Sequence, residues 1–422
     1  MSCVVYVLNI DGQPLMPTER HGKVRRLLKN KKAKVVKRCP FTIQLLYPTT
    51  NFNQEISLGI DAGSKHIGVS AATKSKVLYE AVVALRQDIT NLISARREAR
   101  RTRRNNKTRY RKARFDNRVH TKHKGWLAPS VMQKINCHMT VIQKVYEILP
   151  VTKLIIETAS FDIQKIKNPA ISSVEYQQGE QLDFWNVREY VLFRDNHICQ
   201  CCKGKSKDKI LNVHHIESRK TGGNAPNNLI TLCETCHTNY HKGIIQLPKN
   251  IKRGMSFRDA AFMGIMRWTV YNTLKEKYDD VSMTFGYITK NVRIKNNLPK
   301  DHYIDARCIS GNPLAKPLGY IFWQQKTRCH NRQIHKFNTA KHGIRKNNQS
   351  PYETKGFRLF DKVEYQNKEY FVFGRRKSGF FDIRTLDGNK VNKGSISCKK
   401  LILKEKAKHY ITERRQAVSS PT

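Results

Sequence analysis

The order of apolar and polar positions divides the chain into short strands and a few helices. Residues 3–10, CVVYVLNI, form an apolar run of strand length. Asp11-Gly12 is a turn pair, residues 20–29 carry a basic helix, and residues 34–36 and 41–47 read as strands broken by Pro40. Residues 1–50 are therefore expected to form a small α/β unit. Between residues 55 and 85 the runs EISLGID, HIGVSAAT and KVLYEAVVAL are separated by turns, the first carrying Gly63. That pattern predicts a three-stranded meander. Helical spacing returns at Val131, Ile135, Val141, Ile142, Val145 and Ile148, and Pro150 stops it. TKLIIE then reads as a buried strand ending at Glu157. Residues 256–277 are again helical, with Met, Phe and Trp268 on the apolar positions. Over 356–404, five short strands with turns at Gln366-Asn367 and Asp387-Gly388 predict a small β-barrel.

Charge changes the picture. The 422 residues hold 79 Lys and Arg against 33 acids, a formal net charge of +46. Solubility does not require such a surplus, whereas phosphates do recruit it, because each bound Lys or Arg releases condensed counterions. Residues 93–114, ISARREARRTRRNNKTRYRKAR, carry 11 basic residues and one acid, Glu98, without Gly or Pro. They read as a helix whose Arg96, Arg97, Arg100, Arg101, Arg103, Arg104, Arg109, Arg111 and Arg114 repel one another unless phosphates surround them. Residues 326–346 hold seven Lys or Arg, three His and no acid, a second nucleic-acid contact. A hydrophobic content of 39% is enough for two or more cores. No apolar run approaches the roughly 20 residues that span a bilayer, and the start lacks the pattern of a signal peptide. Five of the 11 cysteines lie between Cys199 and Cys236, which points to a metal site in a reduced cytoplasm rather than a disulfide framework.

Two constellations carry chemistry. RNase H-like nucleases place carboxylates on two neighbouring strands and a late helix, where they hold two divalent ions about 4 Å apart. Asp61 ends the first strand of the meander, and Glu157 ends a strand that would lie parallel beside it. His302 and Asp305 stand three apart in DHYIDARCIS and share one helical face. Hard oxygen donors suit Mg²⁺, and His302 is suited to order a water or act as general base. The second constellation begins with Cys199-x-x-Cys202 and Cys233-x-x-Cys236, the spacing of a structural four-cysteine zinc site. Within and after it lies NVHHIESRKTGGNAPNNLITLCETCHTNYH. It reads as a ββα-metal nuclease. His214 and His215 point to opposite sides of a strand, so one binds metal while the other takes a proton from water. Asn228 can orient that base. His237 and His241 share a helical face and can bind metal with His214.

With both constellations in place, the chain resembles the IscB proteins, transposon-encoded RNA-guided relatives of the CRISPR type II effectors. Gly12-Gln13-Pro14-Leu15-Met16-Pro17 and GKVRRLLKNKKAKVVKRCPFTI resemble the family's PLMP domain. GIDAG, LIIETASF and PKDHYIDA resemble the three RuvC segments, the arginine run resembles the bridge helix, and HHI, NNL and CH resemble the HNH core. The resemblance implies a multidomain α/β fold: an RNase H-like (RuvC) core split by the bridge helix and by an inserted zinc-containing HNH domain. It implies the boundaries 1–53 (PLMP), 54–92 (RuvC-like I), 93–125 (bridge helix and linker), 126–165 (RuvC-like II), 166–252 (HNH), 253–325 (RuvC-like III), 326–351 (basic linker) and 352–422 (target-adjacent-motif interaction). It further implies an omega RNA as guide, one chain per RNA, and a double-stranded DNA target. In that scheme HNH cuts the RNA-paired strand and the RuvC-like site cuts the displaced strand, with Mg²⁺ at both. A protein-guided HNH endonuclease of homing type is the alternative reading.

Overall fold

The computed structural model describes residues 3–105, 126–158, 184, 186–218, 224–248, 250–251, 258–328 and 351–417. Arg109, Arg111, Arg114 and most of the basic stretch over 326–346 lie outside them. The chain divides into two units, residues 1–159 with 265–422, and residues 160–264.

The first unit opens with β1 (Val5–Leu8), β2 (Pro14–Thr18), α1 (His21–Lys29), β3 (Ala33–Lys37) and β4 (Thr42–Leu45). Their sheet has the order β2-β1-β4-β3. Val24 of α1 packs on Val5, Val7, Leu15, Ile43 and Leu45. β2 was not expected as a strand, because it carries Pro14 and Pro17. It lies at the sheet edge, where a missing N–H goes unmissed.

The meander follows as β5 (Ser57–Ala62), β6 (His66–Ala72) and β7 (Val77–Ala84), then α2 (Ile89–Asn105), α3 (Pro129–Tyr146) and β8 (Lys153–Thr158). The second unit contributes α4 (Val187–Arg194), β9 (Leu211–His215), β10 (Leu229–Cys233) and α5 (Glu234–His241). Next come α6 (Arg258–Lys277), β11 (Val281–Phe285), α7 (Gly286–Lys295), α8 (His302–Ile309) and β12 (Tyr320–Lys326). The C-terminal strands are β13 (Glu353–Thr354), β14 (Phe357–Arg358), β15 (Lys362–Tyr365), β16 (Lys368–Arg375), β17 (Phe380–Arg384), β18 (Ile396–Ser397), β19 (Ile402–Glu405) and β20 (Tyr410–Gln416).

The main sheet runs β11-β8-β5-β6-β7-β12-β20. Its centre is dry: every residue of β5 is buried, as expected for strands covered on both faces. β5 and β8 are parallel neighbours in the register Ser57↔Lys153 to Ile60↔Ile156. Asp61 and Glu157 each follow one residue later, so the two carboxylates leave the sheet side by side.

Helix α8 touches this sheet almost backbone to backbone. A Cβ at Gly59 would stand 2.0 Å from the Ala306 carbonyl oxygen, and one at Gly68 would stand 1.9 Å from that of His302. Only glycine permits that approach. Arg307 locks the third strand to the same helix: its Nε and Nη2 donate to the two Glu80 carboxylate oxygens at 2.7 and 3.0 Å, both side chains being buried.

Residues 356–404 form strands as expected, in the order β18-β17-β16-β15-β19 around Val363, Val372, Phe381, Ile383 and Ile396. The small barrel expected here is not what the pairing shows, which is an open sheet with β18 and β19 at its edges. The last strand, β20, leaves that sheet and pairs with β12 from Tyr320↔Gln416 to Lys326↔Tyr410. Its sequence, YITERRQ, has charges where alternation would place apolar residues, a pattern suited to the edge it occupies.

In the second unit β9 and β10 form an antiparallel hairpin with His215 opposite Leu229 and His214 opposite Ile230. Asn186 caps α4 by accepting from the Glu189 N–H. The core here contains Ile230 and Leu232 beside Cys199, Cys233 and Cys236, a small apolar set for a free-standing unit.

Candidate active sites and metal centres

In the first unit β5, β8 and α8 bring Asp61, Glu157, His302 and Asp305 to one end of the main sheet. The His302 Nδ1–H donates to Asp61 Oδ2 at 2.6 Å. That bond, against the opposing effect of burial, holds the His302 imidazole above its usual pKa. Arg293 of α7 forms an ion pair with Asp305 at 2.9 Å, and Arg267 of α6 forms one with Glu157 at 3.1 Å. Arg267 Nε also donates to the Ala62 carbonyl at 2.9 Å, so one guanidinium spans the ends of both carboxylate-bearing strands. Burial and the neighbouring Asp61 charge raise the Glu157 carboxyl, with Arg267 opposing, and burial and Asp61 likewise raise Asp305 against Arg293. Three part-buried carboxylates thus share this end of the sheet with Arg267, Arg293 and His302, and a cluster of hard oxygen donors of this kind suits a hard cation. The carboxylates are not gathered to a point. Among the described residues, the groups whose ligand atoms all lie within 4.8 Å of one another are Cys199, Cys202, Cys233 and Cys236, and His214, His237 and His241.

Arg267, Arg293 and His66, whose ring lies 5.2 Å from that of His302, were not foreseen. Arg267 meets partners 110 and 205 residues away, and no local pattern announces such a contact.

The four cysteines meet the test for tetrahedral zinc. Cys202 and Cys233 Sγ are 3.8 Å apart, and four thiolates at about 2.3 Å from one ion stand about 3.8 Å from each other. Cys201, between the first pair, is outside the cluster. Ser206, also unforeseen, donates its hydroxyl to Cys233 Sγ at 3.0 Å, the kind of outer contact that orients a thiolate.

The hairpin and α5 build the histidine centre. His214 is buried, and its Nε2 has no hydrogen-bond partner among the described residues. A buried, unpartnered imidazole nitrogen beside two further histidines is what a metal would satisfy. Burial first, then the His237 and His241 charges, lower the His214 pKa to about 4, so its imidazole is neutral at pH 7, the form that can bind a metal. His237 and His241 Nε2 lie 3.3 Å apart. On the opposite side of β9 the His215 Nε2–H donates to Asn224 Oδ1 at 3.0 Å. Asn228 brackets the turn that follows: its Oδ1 accepts from the Glu217 N–H at 2.9 Å, and its Nδ2 donates to the Glu217 carbonyl at 3.0 Å. Asn224 was missed because it falls in a Gly- and Asn-rich loop, GGNAPNN, whose chemistry reads as turn formation.

The RRXRR protein family matches residues 5–179, and the HNH endonuclease family matches residues 199–243. The chain carries an RRXRR domain and an HNH endonuclease domain. The combination fits an IscB-like nuclease. No curated protein matches the chain. Among solved structures, Streptococcus thermophilus Cas9 in complex with the GGAA PAM is 13% identical, covering 51% of this chain and 30% of that one at a TM-score of 0.35. The same protein in complex with the AGAA PAM is 11% identical, covering 61% and 32% at 0.35. The chain thus spans about a third of the length of those proteins. In the chain itself, the HNH match includes all four clustered cysteines and the three clustered histidines. Among the described residues no helix is long and apolar enough to cross a membrane.

Proposed function

We propose that the chain is an RNA-guided, Mg²⁺-dependent DNA endonuclease with two separate catalytic sites, one on the RNase H-like (RuvC) sheet and one in the HNH unit. The observation that carries this reading is the pair of sites in one strongly basic chain: carboxylates on parallel neighbours β5 and β8 facing His302 and Asp305, and an independent histidine centre on the β9–β10 hairpin. In the first site Asp61, Glu157 and Asp305 would hold the ions, and His302 would order or deprotonate the attacking water. In the second, His214, His237 and His241 would hold the ion. Bound Mg²⁺ would supply Lewis acidity at the scissile phosphate.

His215 is the general base of the HNH site. Its Nε2–H is engaged by Asn224, which leaves Nδ1 as the basic nitrogen. Asn228 fixes the turn behind it. The four cysteines hold structural Zn²⁺. The exposed Arg96, Arg97, Arg100 and Arg101 of α2 grip guide phosphates without reading bases, and the remaining arginines of the run continue the same contact. HNH cuts the strand paired with the guide, the RuvC-like site cuts the displaced strand, and the C-terminal sheet contacts a short motif beside the target. The experiment is cleavage of a plasmid carrying a guide-matched site by purified protein with its RNA, each strand end-labelled. Cutting of both strands only when guide and target match is the expected result. Equal cutting of an unmatched plasmid, or cutting without RNA, would favour a homing-type endonuclease.

A further inference from the structure

One cavity of about 270 Å³ in the first unit belongs to neither nuclease site. Its walls come from the ends of β3 and α3, from β20 and the segment before it, and from the β15–β16 sheet. Three parts of the fold thus converge on it. Lys37, Lys144, Lys362, Lys406 and Lys408 line it, against the acids Glu147 and Glu405. Three of these lysines are accounted for. Lys362 pairs with Glu369 at 2.5 Å, Lys406 with Glu353 and Asp361 at 3.5 and 3.6 Å, and Lys408 with Glu405 at 3.5 Å.

Lys37 and Lys144 have no ion pair among the described residues, and neither does Lys326 beside the cavity. Instead Lys144 Nζ lies 3.9 Å and Lys326 Nζ 4.3 Å from the centre of the same Tyr410 ring. Two ammonium groups crowd one aromatic ring, and a third cation, Lys37, stands close enough to act on Lys144. Burial first, then the charges of Lys37 and Lys326, lower the Lys144 pKa to about 8, and burial with Lys408 lowers Lys37. The fold keeps like charges together, partly desolvated; Glu147 and Glu405 act on Lys37 and Glu147 on Lys144 from across the cavity, but among the described residues neither carboxylate closes an ion pair with Lys37, Lys144 or Lys326.

We propose that this cavity is a phosphate-binding site that takes a backbone phosphate of the chain's RNA, held by Lys37, Lys144 and Lys326. The chemistry favours phosphate. Lysines are compact point charges that neutralise a phosphodiester without reading a base, and the volume falls below that of sites for drug-sized ligands. It admits one phosphate and its attached sugar, so an RNA strand would enter only at a kink or an end. A phosphate there would tie the N-terminal sheet, α3 and the C-terminal sheet together. The RNA source rests on the RNA-guided reading; the phosphate site itself does not.

The test is lysine acetylation, read residue by residue by mass spectrometry, on the full-length protein stripped of RNA by high salt. One arm adds back the RNA that copurifies with the chain, and the other adds inorganic pyrophosphate alone. Acetylation of Lys37, Lys144 and Lys326 is expected to slow about tenfold at saturation, because an occupied site is closed to the reagent. Protection in both arms supports a phosphate site open to free phosphates, and protection by RNA alone supports a site shaped to its backbone. RNA that binds yet leaves the three lysines as reactive as in the stripped protein overturns the proposal and leaves the RNA-guided reading standing. If no RNA binds, that reading fails instead, and the pyrophosphate arm alone decides the site, unchanged reactivity overturning it. The variant Lys144→Gln with Lys326→Gln should also lower the salt slope of RNA binding by about one to two units.

Discussion

His215 and Asn224 show how much a single contact decides. Replacing His215 with Ala removes the proposed base, and loss of a general base costs ~10²–10⁴-fold. Asn224→Ala leaves the base but frees its ring, so a smaller loss of guide-paired-strand cutting is expected. Single-turnover rates on that strand separate the two, and an Asn224→Ala loss equal to that of His215→Ala would make Asn224 part of the chemistry. His138 offers a test outside the sites. It is fully buried on α3, where its Nδ1–H donates to the Lys134 carbonyl at 2.8 Å. Burial lowers its pKa from 6.5 to about 4. The unfolded chain therefore binds the proton first as pH falls, and stability should drop between pH 6.5 and 4, by about 3 kcal/mol. His138→Gln should flatten that part of the urea-midpoint profile, and an unchanged slope would show that other groups govern it. The paired cysteines, His237 with His241, and His302 with Asp305 were legible because their spacing encodes a shared face or a short loop, whereas Asp61 and Glu157 were legible only as the ends of apolar strand runs. Arg267, Arg293 and Asn224 were not, because their partners are set by tertiary packing or by a loop path.

At the level of elements, helix α8 matters most, because it carries His302 and Asp305 and meets the sheet through glycine. Gly68→Ala would force a Cβ to within 1.9 Å of the His302 carbonyl, backbone against strand, so the helix must move. Displaced-strand cutting should fall at least about 10²-fold, since an ångström of misplacement has that cost, while guide-paired-strand cutting persists. Retained cutting of both strands would mean that the helix tolerates the shift. Glu80→Gln should weaken the same docking by leaving the Arg307 guanidinium buried without its counter-charge, at about 3–5 kcal/mol. The second unit has a small apolar core beside four clustered cysteines, so its stability is expected to rest on a metal held there. Cys236→Ser should unfold it, because thiolate–zinc binding supplies much of the folding free energy of such modules. Metal analysis should find about one zinc per folded chain, and a fully folded Cys236→Ser hairpin by hydrogen exchange would refute the dependence. The sequence announced most of these elements by periodicity. It missed β2, whose prolines suit an edge, β20, whose charges hide a strand that completes the main sheet, and also α4, β11, α7 and β12.

For the whole molecule, the question is whether the two sites act independently. Each proposed site draws its residues from one unit alone: β5, β8 and α8 in the first, and the β9–β10 hairpin with α5 in the second. Neither set shares a residue with the other, so each substitution should remove one cut. Asp61→Ala deletes a carboxylate that faces both Glu157 and Asp305 electrostatically, and it should stop cutting of the displaced strand. His215→Ala should stop cutting of the guide-paired strand, leaving a nickase in each case. The double variant should cut neither strand yet hold DNA with nearly unchanged affinity. Binding is expected to come from the surplus behind the +46 net charge, spread over many Lys and Arg, and neither substituted residue belongs to it. Affinity should accordingly fall with salt in parallel for the wild type and the double variant. Strand-resolved cleavage and a salt titration of binding measure both consequences in one preparation. A single substitution that abolished both cuts while binding persisted would mean that the sites are coupled, or form one composite centre. Loss of binding in the double variant would mean that Asp61 or His215 supports the nucleic-acid surface as well as the chemistry.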